Sequence, residues 1–439
     1  MPPGPRRTQC RAIINWLTRY RAPHNADNLT QIKGYLEAAH HLCNIQEWER
    51  AFSLLSIRLH TPTQEPLHYQ LKFWGYNPLR IELYQALSER LQHTAPDGWN
   101  ARMLQFLGES YYSSGQYTEA QDYYEQSLAI FREVGDESDV GMLLTALGDI
   151  HYAKGQYDRA IDSHQQGLSI AQANNQLFMQ GIALGSLGNI YEAKGQYNQA
   201  ISHHQQHLKI ARQTQDLEME GAALGNIGSC YYALSQYDRA KTYHQQHLAI
   251  ALKINSRPSE SNALGGIGSA DYSLGNYASA RTHFEQQLEM AKEMGDRSAQ
   301  AHALGALGNV CLSLKQYAQA LAFHQQHLAI AQSLGQRRSI LHAIGDIGNT
   351  YVLLEDLMKA TDCYQQQLAM AREISDRAGE AIALGNLGAI AYDLGDPSKA
   401  TSLIQQQLSI AQELGDRNQV DRALQNLKKT RNKVRPTCL

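Results

Sequence analysis

The sequence of 439 residues lacks the patterns that mark export or membrane anchorage. No run of eighteen apolar residues occurs, and the arginine-containing amino terminus has no apolar stretch of signal-peptide length. The cysteines form no CxxC motif and share no common spacing, which predicts reduced thiols in a cytoplasmic protein. These cysteines are Cys10, Cys43, Cys230, Cys311, Cys363 and Cys438.

Specific catalytic motifs are missing as well. The sequence contains no HExxH and no GxSxG. Paired carboxylates such as Glu119 and Asp122 fall on predicted helical surfaces, where solvated acidic residues are ordinary. We therefore expect neither enzyme activity nor a cofactor.

Basic residues are concentrated at the two ends of the sequence. Residues 1–60 hold eight Lys and Arg against four Asp and Glu, and residues 417–439 hold seven against one. The net charge of the whole chain is -3, so the stretch between the ends is acidic. A basic tail can contact nucleic acid or anionic lipid, but short tails of this kind more often solvate a terminal helix. A nucleic-acid partner is therefore not expected.

A pattern of forty residues recurs eight times without insertion or deletion. One glycine frame comprises Gly108, Gly148, Gly188, Gly228, Gly268, Gly308, Gly348 and Gly388. One alanine frame comprises Ala120, Ala160, Ala200, Ala240, Ala280, Ala320, Ala360 and Ala400. A fixed period of this length predicts a solenoid, in which neighbouring repeats stack to form one continuous core.

Each repeat is predicted to fold as two helices. With Gly181 as position 1, the residues at positions 4, 7, 8 and 11 share one face of the first helix. The glycine at position 8 lowers helix propensity, so we expect the backbone of another helix to pass too close for a Cβ. The glycine common at position 15 suits a left-handed helix end. The second helix carries apolar residues at similar spacing and ends near Gly-Asp pairs such as Gly295-Asp296.

The predicted organisation has four parts. Residues 1–27 form a flexible amino-terminal segment, and residues 28–97 form divergent helical repeats. In the latter, two helices flank a turn at residues 44–47, and a later helix breaks at residues 75–78. Residues 98–417 are the eight repeats, and residues 418–439 are a capping helix with a basic tail, where Lys428 replaces the glycine of position 8.

The repeats resemble the tetratricopeptide repeat (TPR) family. The matching residues are Leu184, Leu187, Gly188, Tyr191, Tyr197, Ala200 and Leu208. The resemblance implies an all-α, right-handed superhelical solenoid of stacked antiparallel helix pairs. The forty-residue length is similar to Pins-type adaptors and to the repeat tails of bacterial NB-ARC-type signalling ATPases. No GxxxxGK[ST] occurs, so no nucleotide chemistry carries over.

In this family, the face of the first helix opposite positions 4, 7, 8 and 11 lines a concave groove. We predict that positions 2, 5, 9, 12 and 13 lie on that face, where carboxamides would pair with peptide backbone and tyrosines would act as rigid anchors. Only Arg102 places an arginine at position 2, so a preference for acidic peptides is not expected. The candidate partner-binding residues are Glu109, Tyr112, Asp149, Tyr152, Asn189, Glu192, Tyr232, Tyr272, His302, Asn309, His342, Asn349 and Tyr392.

Histidines cluster in the second helices. Residues three apart on a helix share a face, so zinc binding and pH sensing are open alternatives. Position 24 alternates among histidine, tyrosine and phenylalanine, which favours packing over metal binding. The histidines are His203, His204, His207, His244, His247, His324 and His327.

The leading hypothesis is a non-enzymatic scaffold that binds a peptide or protein in the groove of the first helices. The alternative is a regulatory sensor or assembly module that acts with a separately encoded signalling ATPase or by self-association. Neither hypothesis requires a membrane, and both place the protein in the cytoplasm.

Overall fold

The computed structural model describes Thr8 and residues 27–45, 47–58, 66–91 and 97–434. Over these residues the chain forms 21 helices and no β-strand, which confirms the all-α prediction. The predicted flexible segment at residues 1–27 and the end of the basic tail lie outside the described residues, apart from Thr8 and Asp27. The chain divides into an N-terminal unit, residues 1–215, and a C-terminal unit, residues 216–439.

The N-terminal unit contains ten helices among its described residues. They are α1 (Asn28–Asn44), α2 (Trp48–Leu55), α3 (Leu67–Phe73), α4 (Asn77–Leu91), α5 (Asp97–Ser113), α6 (Tyr117–Val134), α7 (Glu137–Ala153), α8 (Tyr157–Ala173), α9 (Leu177–Ala193) and α10 (Tyr197–Thr214). The breaks between α1 and α2 and between α3 and α4 lie where the sequence predicts them. Gly75, in the second break, has a φ of +78°, which glycine adopts without strain.

The C-terminal unit continues the same alternation. Its helices are α11 (Leu217–Ala233), α12 (Tyr237–Lys253), α13 (Arg257–Ser273), α14 (Tyr277–Glu293), α15 (Arg297–Ser313), α16 (Tyr317–Ser333), α17 (Arg337–Leu353), α18 (Leu357–Glu373), α19 (Arg377–Asp393), α20 (Pro397–Leu414) and α21 (Arg417–Val434). Connections of two or three residues make successive helices antiparallel neighbours.

Local chemistry fixes the ends of these helices. The carboxylate of Asp296 accepts a hydrogen bond from the backbone N–H of Ala299 at 2.9 Å, which satisfies a free donor of the first turn of α15. The predicted left-handed turn at position 15 is confirmed at Gly155, where φ is +71°. Lys315 and Glu355 occupy the same position with φ of +62° and +61°, a conformation that costs a non-glycine residue about 1 kcal/mol.

The glycine at position 8 accommodates a ring rather than a backbone. A Cβ built on Gly148 would lie 2.6 Å from the imidazole of His164, which belongs to the second helix of the same repeat. The predicted close approach of another helix backbone is therefore wrong. The space is filled by the side chain at position 24, which is at most 6% exposed in every repeat. The residues at position 24 are Tyr124, His164, His204, His244, Phe284, His324, Tyr364 and Ile404.

The alanine frame forms the innermost layer of each helix pair. All eight alanines at position 20, from Ala120 to Ala400, are fully buried. The core is packed so closely at position 20 that a larger side chain would not fit, which explains why alanine recurs there. The array ends at α21, where Leu427 is 8% exposed and Lys428 is exposed. The lysine therefore stands on a surface that no further helix among the described residues covers.

Ion pairs join consecutive repeats within each unit. In the N-terminal unit, Arg102 contacts Asp139 at 2.7 Å. In the C-terminal unit, Lys241 on α12 contacts Asp271 on α13, the first helix of the next repeat, at 2.7 Å. In each pair the carboxylate is buried and the cation is partly exposed.

Candidate functional site

Two adjoining cavities lie along the first helices of the C-terminal unit. Their volumes are about 550 and 420 Å³, within the range of ligand sites in proteins. Tyr232, Ser269, Ser298 and His302 line both cavities, so the two form one continuous groove. We refer to the residues that line these two cavities as the groove.

Five of the predicted partner-binding residues come together in the groove. They are Tyr232, Tyr272, His302, Asn309 and His342. These side chains stand at positions 2, 9 and 12 of α11, α13, α15 and α17, because residues at these spacings share one helix face.

The two tyrosines are held by serines of the following repeat. The hydroxyl of Tyr232 lies 3.1 Å from Oγ of Ser273, and Oγ of Ser313 donates to the hydroxyl of Tyr272 at 3.2 Å. Each tyrosine also packs at a tilt against the tyrosine five residues later in the chain. The rings are therefore oriented before any ligand arrives, which lowers the entropy cost of binding.

The imidazole of His302 lies at the junction of the two cavities. Its Nδ1 is 3.4 Å from Oε1 of Gln287, and its ring meets the edge of Phe284 at 6.4 Å between centroids. The surrounding walls of the groove remove solvent from the ring, which lowers the pKa of His302 below its ordinary value. At neutral pH this side chain is an uncharged hydrogen-bonding group.

Asp346 lines the groove at position 6, which the sequence analysis did not select. Its side chain is 27% exposed, and its carboxylate lies 4.0 Å from Nδ1 of His324. Desolvation by burial raises the pKa of Asp346 to about 7. A signal was present in the sequence, because Asp346 is the only charged residue at position 6 among the eight repeats.

Position 5 lies on the groove surface, as predicted, because Gly305 and Gly265 line the two cavities, but it also makes a contact that was not predicted. This position faces the second helix of its own repeat, where a Cβ on Gly305 would lie 3.0 Å from the ring of His327. The partner at position 27 is buried in most repeats, as with Gln287 and Gln407. Small residues at position 5 and polar residues at position 27 thus form a second buried contact between the paired helices.

Comparison with known proteins identifies the repeats. The tetratricopeptide repeat model matches residues 99–173, 180–253, 259–333 and 338–413, which together make up more than half of the chain. The chain belongs to the tetratricopeptide repeat family. No curated protein matches it by sequence.

Several solved structures share the TPR fold. Aspartyl phosphate phosphatase F from Bacillus subtilis is 16% identical, with 80% of this chain and 96% of that chain covered and a TM-score of 0.56. The apo quorum sensor NprR from B. thuringiensis is 16% identical, with 78% and 99% covered and a TM-score of 0.55. A signal transduction ATPase with a tetratricopeptide repeat sensor from Pyrococcus horikoshii is 14% identical, with 92% and 55% covered and a TM-score of 0.57. At these identities the likeness shows the fold alone.

In the N-terminal unit, the predicted acidic residues of the TPR array already have partners. The carboxylate of Glu109 lies 2.7 Å from Nζ of Lys72 and 3.4 Å from the guanidinium of the fully buried Arg80. The carboxylate of Asp149 lies 3.4 Å from Nε2 of the buried His164. Glu109 is therefore paired within the fold, whereas the side chain of Asp149 is 42% exposed.

The remaining predicted residues lie on first helices outside the two cavities. Tyr112 and Tyr152 are 36% and 40% exposed and tilt against neighbouring tyrosines. The hydroxyl of Tyr364 donates to Oδ1 of Asn349 at 2.7 Å. Asn189 is exposed on α9, whereas Glu192 on α9 and Tyr392 on α19 are half-buried. Their role in partner binding stays a prediction.

The histidines of the second helices are packing residues. His204, His244 and His324 fill the spaces beside the glycines at position 8, and burial lowers the pKa of each to about 4. At position 27, Nε2 of His327 lies 2.8 Å from Oγ of Ser339. His203 stacks on Tyr191 with 5.1 Å between centroids.

None of the described helices is both long and apolar enough to cross a membrane.

Proposed function

We propose that the groove of the C-terminal unit binds a peptide or protein segment and that the protein acts as a non-enzymatic scaffold. The observation that carries the proposal is the continuity of the groove across four successive first helices. A segment lying along them would meet the same kinds of group in each repeat, as an extended chain or a helix does.

The chemistry of the groove supports a peptide over a flat apolar partner. Asn309 and Ser269 offer hydrogen bonds of the kind that peptide backbone needs, while Tyr232 and Tyr272 offer apolar surface held in place by serines. Interface cores are enriched in such tyrosines and depleted in charged residues. Among the residues that line the two cavities, none is lysine or arginine.

Selection from a displayed library of random dodecapeptides, with the full chain as bait, tests the proposal. Peptides that depend on the groove should lose binding to the double variant H302A/N309A. The matched control is Q325A/Q326A, two exposed residues on the second helix α16. Helical circular dichroism should be the same for all three proteins. Equal capture by the wild type and H302A/N309A would contradict a role for the groove.

The alternative, a sensor or assembly module that acts with a separate ATPase or by self-association, stays a second proposal. The fold shared with the repeat sensor of a signal transduction ATPase is compatible with it but does not favour it. Sedimentation velocity of the full chain, alone and with candidate ATPases, would show a larger species under this alternative. A strictly monomeric chain would count against it.

A further inference from the structure

The groove holds an unbalanced negative charge. Its lining residues include two carboxylates, Asp296 and Asp346, and no lysine or arginine. Asp296 is already committed, because its carboxylate caps α15 by accepting from the N–H of Ala299. Asp346 has no comparable partner among the described hydrogen bonds. Its carboxylate lies 4.0 Å from Nδ1 of His324.

Elsewhere in the C-terminal unit, enclosed carboxylates are paired with cations. The fully buried Asp271 lies 2.7 Å from Nζ of Lys241. The carboxylate of Glu380 lies 2.8 Å from Arg372 and 2.6 Å from Arg377. Asp346 is the exception, and it is also the one that faces an open cavity. Partial desolvation of an unpaired carboxylate is unfavourable, so a cation that entered the cavity would be stabilised there.

Three of the groups around Asp346, namely His302, His324 and His327, do not supply that partner at neutral pH. His302, His327 and His342 line the same cavity, and His324 packs beneath it. Burial lowers the pKa of His302, His324 and His327, so these imidazoles are uncharged when Asp346 ionises. Tyr364 lies on α18, the second helix of the repeat that contains Asp346, and its hydroxyl donates a hydrogen bond to Oδ1 of Asn349.

We propose that the carboxylate of Asp346 anchors a cationic group, the side chain of a lysine or arginine, on the segment bound in the groove. This inference rests on the proposed function and names the chemical class of the segment. An ammonium or guanidinium entering the cavity would complete the ion pair that the fold leaves open, and charge-assisted hydrogen bonds are about twice as strong as neutral ones. The uncharged histidines and Asn309 would then contact the rest of the segment.

The anchor makes binding depend on pH. The pKa of Asp346 is about 7, so the carboxylate is about one-tenth ionised at pH 6 and about nine-tenths ionised at pH 8. The affinity for a cationic segment should therefore rise about tenfold between these two pH values. Protonation of His302 and His327 at low pH would weaken binding in the same direction. The variant D346N separates the two effects, because it keeps the histidines.

Matched peptide pools test the anchor directly. The pools are dodecapeptides randomised over alanine, serine, asparagine, leucine and tyrosine, with one central residue fixed as lysine, arginine, norleucine or citrulline. Norleucine and citrulline are neutral counterparts of the two cations. Retention by the immobilised full chain is compared at pH 6 and pH 8 for the wild type and D346N. A second arm titrates the ¹³C-labelled aspartate signal of Asp346 with n-butylammonium and with n-butanol, which tells a small amine from a peptide.

We expect the lysine and arginine pools to be retained at least about tenfold better than their neutral counterparts at pH 8, with most of the preference lost at pH 6 or in D346N. Equal retention of charged and neutral pools would overturn the anchor while leaving a peptide-binding groove intact. Retention of no pool, together with a shift caused by n-butylammonium, would overturn both the proposed function and a peptide as the source of the cation. No response in either arm would overturn the site altogether.

Discussion

Replacing His244 with phenylalanine should remove an acid-sensitive group from the C-terminal unit without removing its ring. The imidazole is 6% exposed and lies between Gly228 of its own repeat and Gly266 of the next. Its Nδ1 has no hydrogen-bond partner among the described groups. Phenylalanine already occupies the equivalent position as Phe284 in the next repeat, where it is 2% exposed. The site therefore accepts this ring.

The size of the effect follows from the two protonation equilibria of His244. Desolvation lowers its pKa from 6.5 to about 4 in the folded state. Between these values the unfolded chain binds a proton more readily, so folding stability falls as the pH decreases through this window. At pH 5 the loss caused by this histidine is about 2 kcal/mol relative to pH 7. The variant H244F should lack this loss.

Hydrogen exchange measured by mass spectrometry can assign the effect to one place in the array. The free energy of local opening is compared for peptides that cover α12 at pH 5 and pH 7, after correction for the intrinsic exchange rate. The wild type should lose about 2 kcal/mol more than H244F between the two pH values. If the free energy of local opening is higher in H244F by the same amount at both pH values, the increase reflects added apolar burial and is independent of the protonation of His244.

The reciprocal variant F284H is the matched control. It places an imidazole in a site that has none, beside Gly268, and should add a similar acid sensitivity to α14. If the wild type and H244F lose the same stability between pH 7 and pH 5, His244 is not held in its neutral form by burial. The account of the position-24 histidines as packing residues would then fail for this repeat.

Three further predictions concern stability. G148A should lower the free energy of unfolding, measured by urea denaturation, by roughly 1–2 kcal/mol, because overpacking against His164 outweighs the gain in helix propensity. A stabilised variant would contradict the contact between position 8 and the ring. K315G should stabilise by up to about 1 kcal/mol by relieving a φ of +62°, and an unchanged thermal midpoint would contradict that strain. D346N should be more stable than the wild type by about 2–4 kcal/mol at pH 8 and equally stable near pH 4. The pKa of Asp346 is about 7 in the folded state and 3.8 ordinarily, so the stability of the wild type falls as the pH rises between these values. Equal urea midpoints of the two proteins at pH 8 would contradict an unpaired carboxylate.

The periodic features of this fold were predictable from sequence. The forty-residue spacing gave the helix pairs, and the glycines of position 15 gave the left-handed turns, since both depend on local backbone preference. The packing role of position 24 also followed, because the exchange of His244 for Phe284 in successive repeats requires only a ring of similar size. The division of the chain at residues 27, 97 and 417 stays a prediction.

Buried polar contacts were the part that sequence reasoning missed. At position 5 the contact with the second helix was missed, because a glycine such as Gly305 has no side chain to mark it and its partner His327 is polar. Asp346 was overlooked for a related reason. A carboxylate on a helix is usually solvated, and only the surrounding cavity shows that this one is not. In both cases, the environment of the residue comes from a neighbouring helix and not from its own.

The ring at position 24 also limits how the repeats can be rearranged. His244 and the glycine that receives it, Gly228, belong to the same forty residues, so a duplicated repeat carries both halves of that contact. The other side of the ring touches Gly266, which belongs to the following repeat. A chimeric array would therefore tolerate exchange of whole repeats only where position 6 of the incoming repeat leaves room for the ring before it. Repeat order in this protein is set by compatibility at each junction and not by the repeats singly.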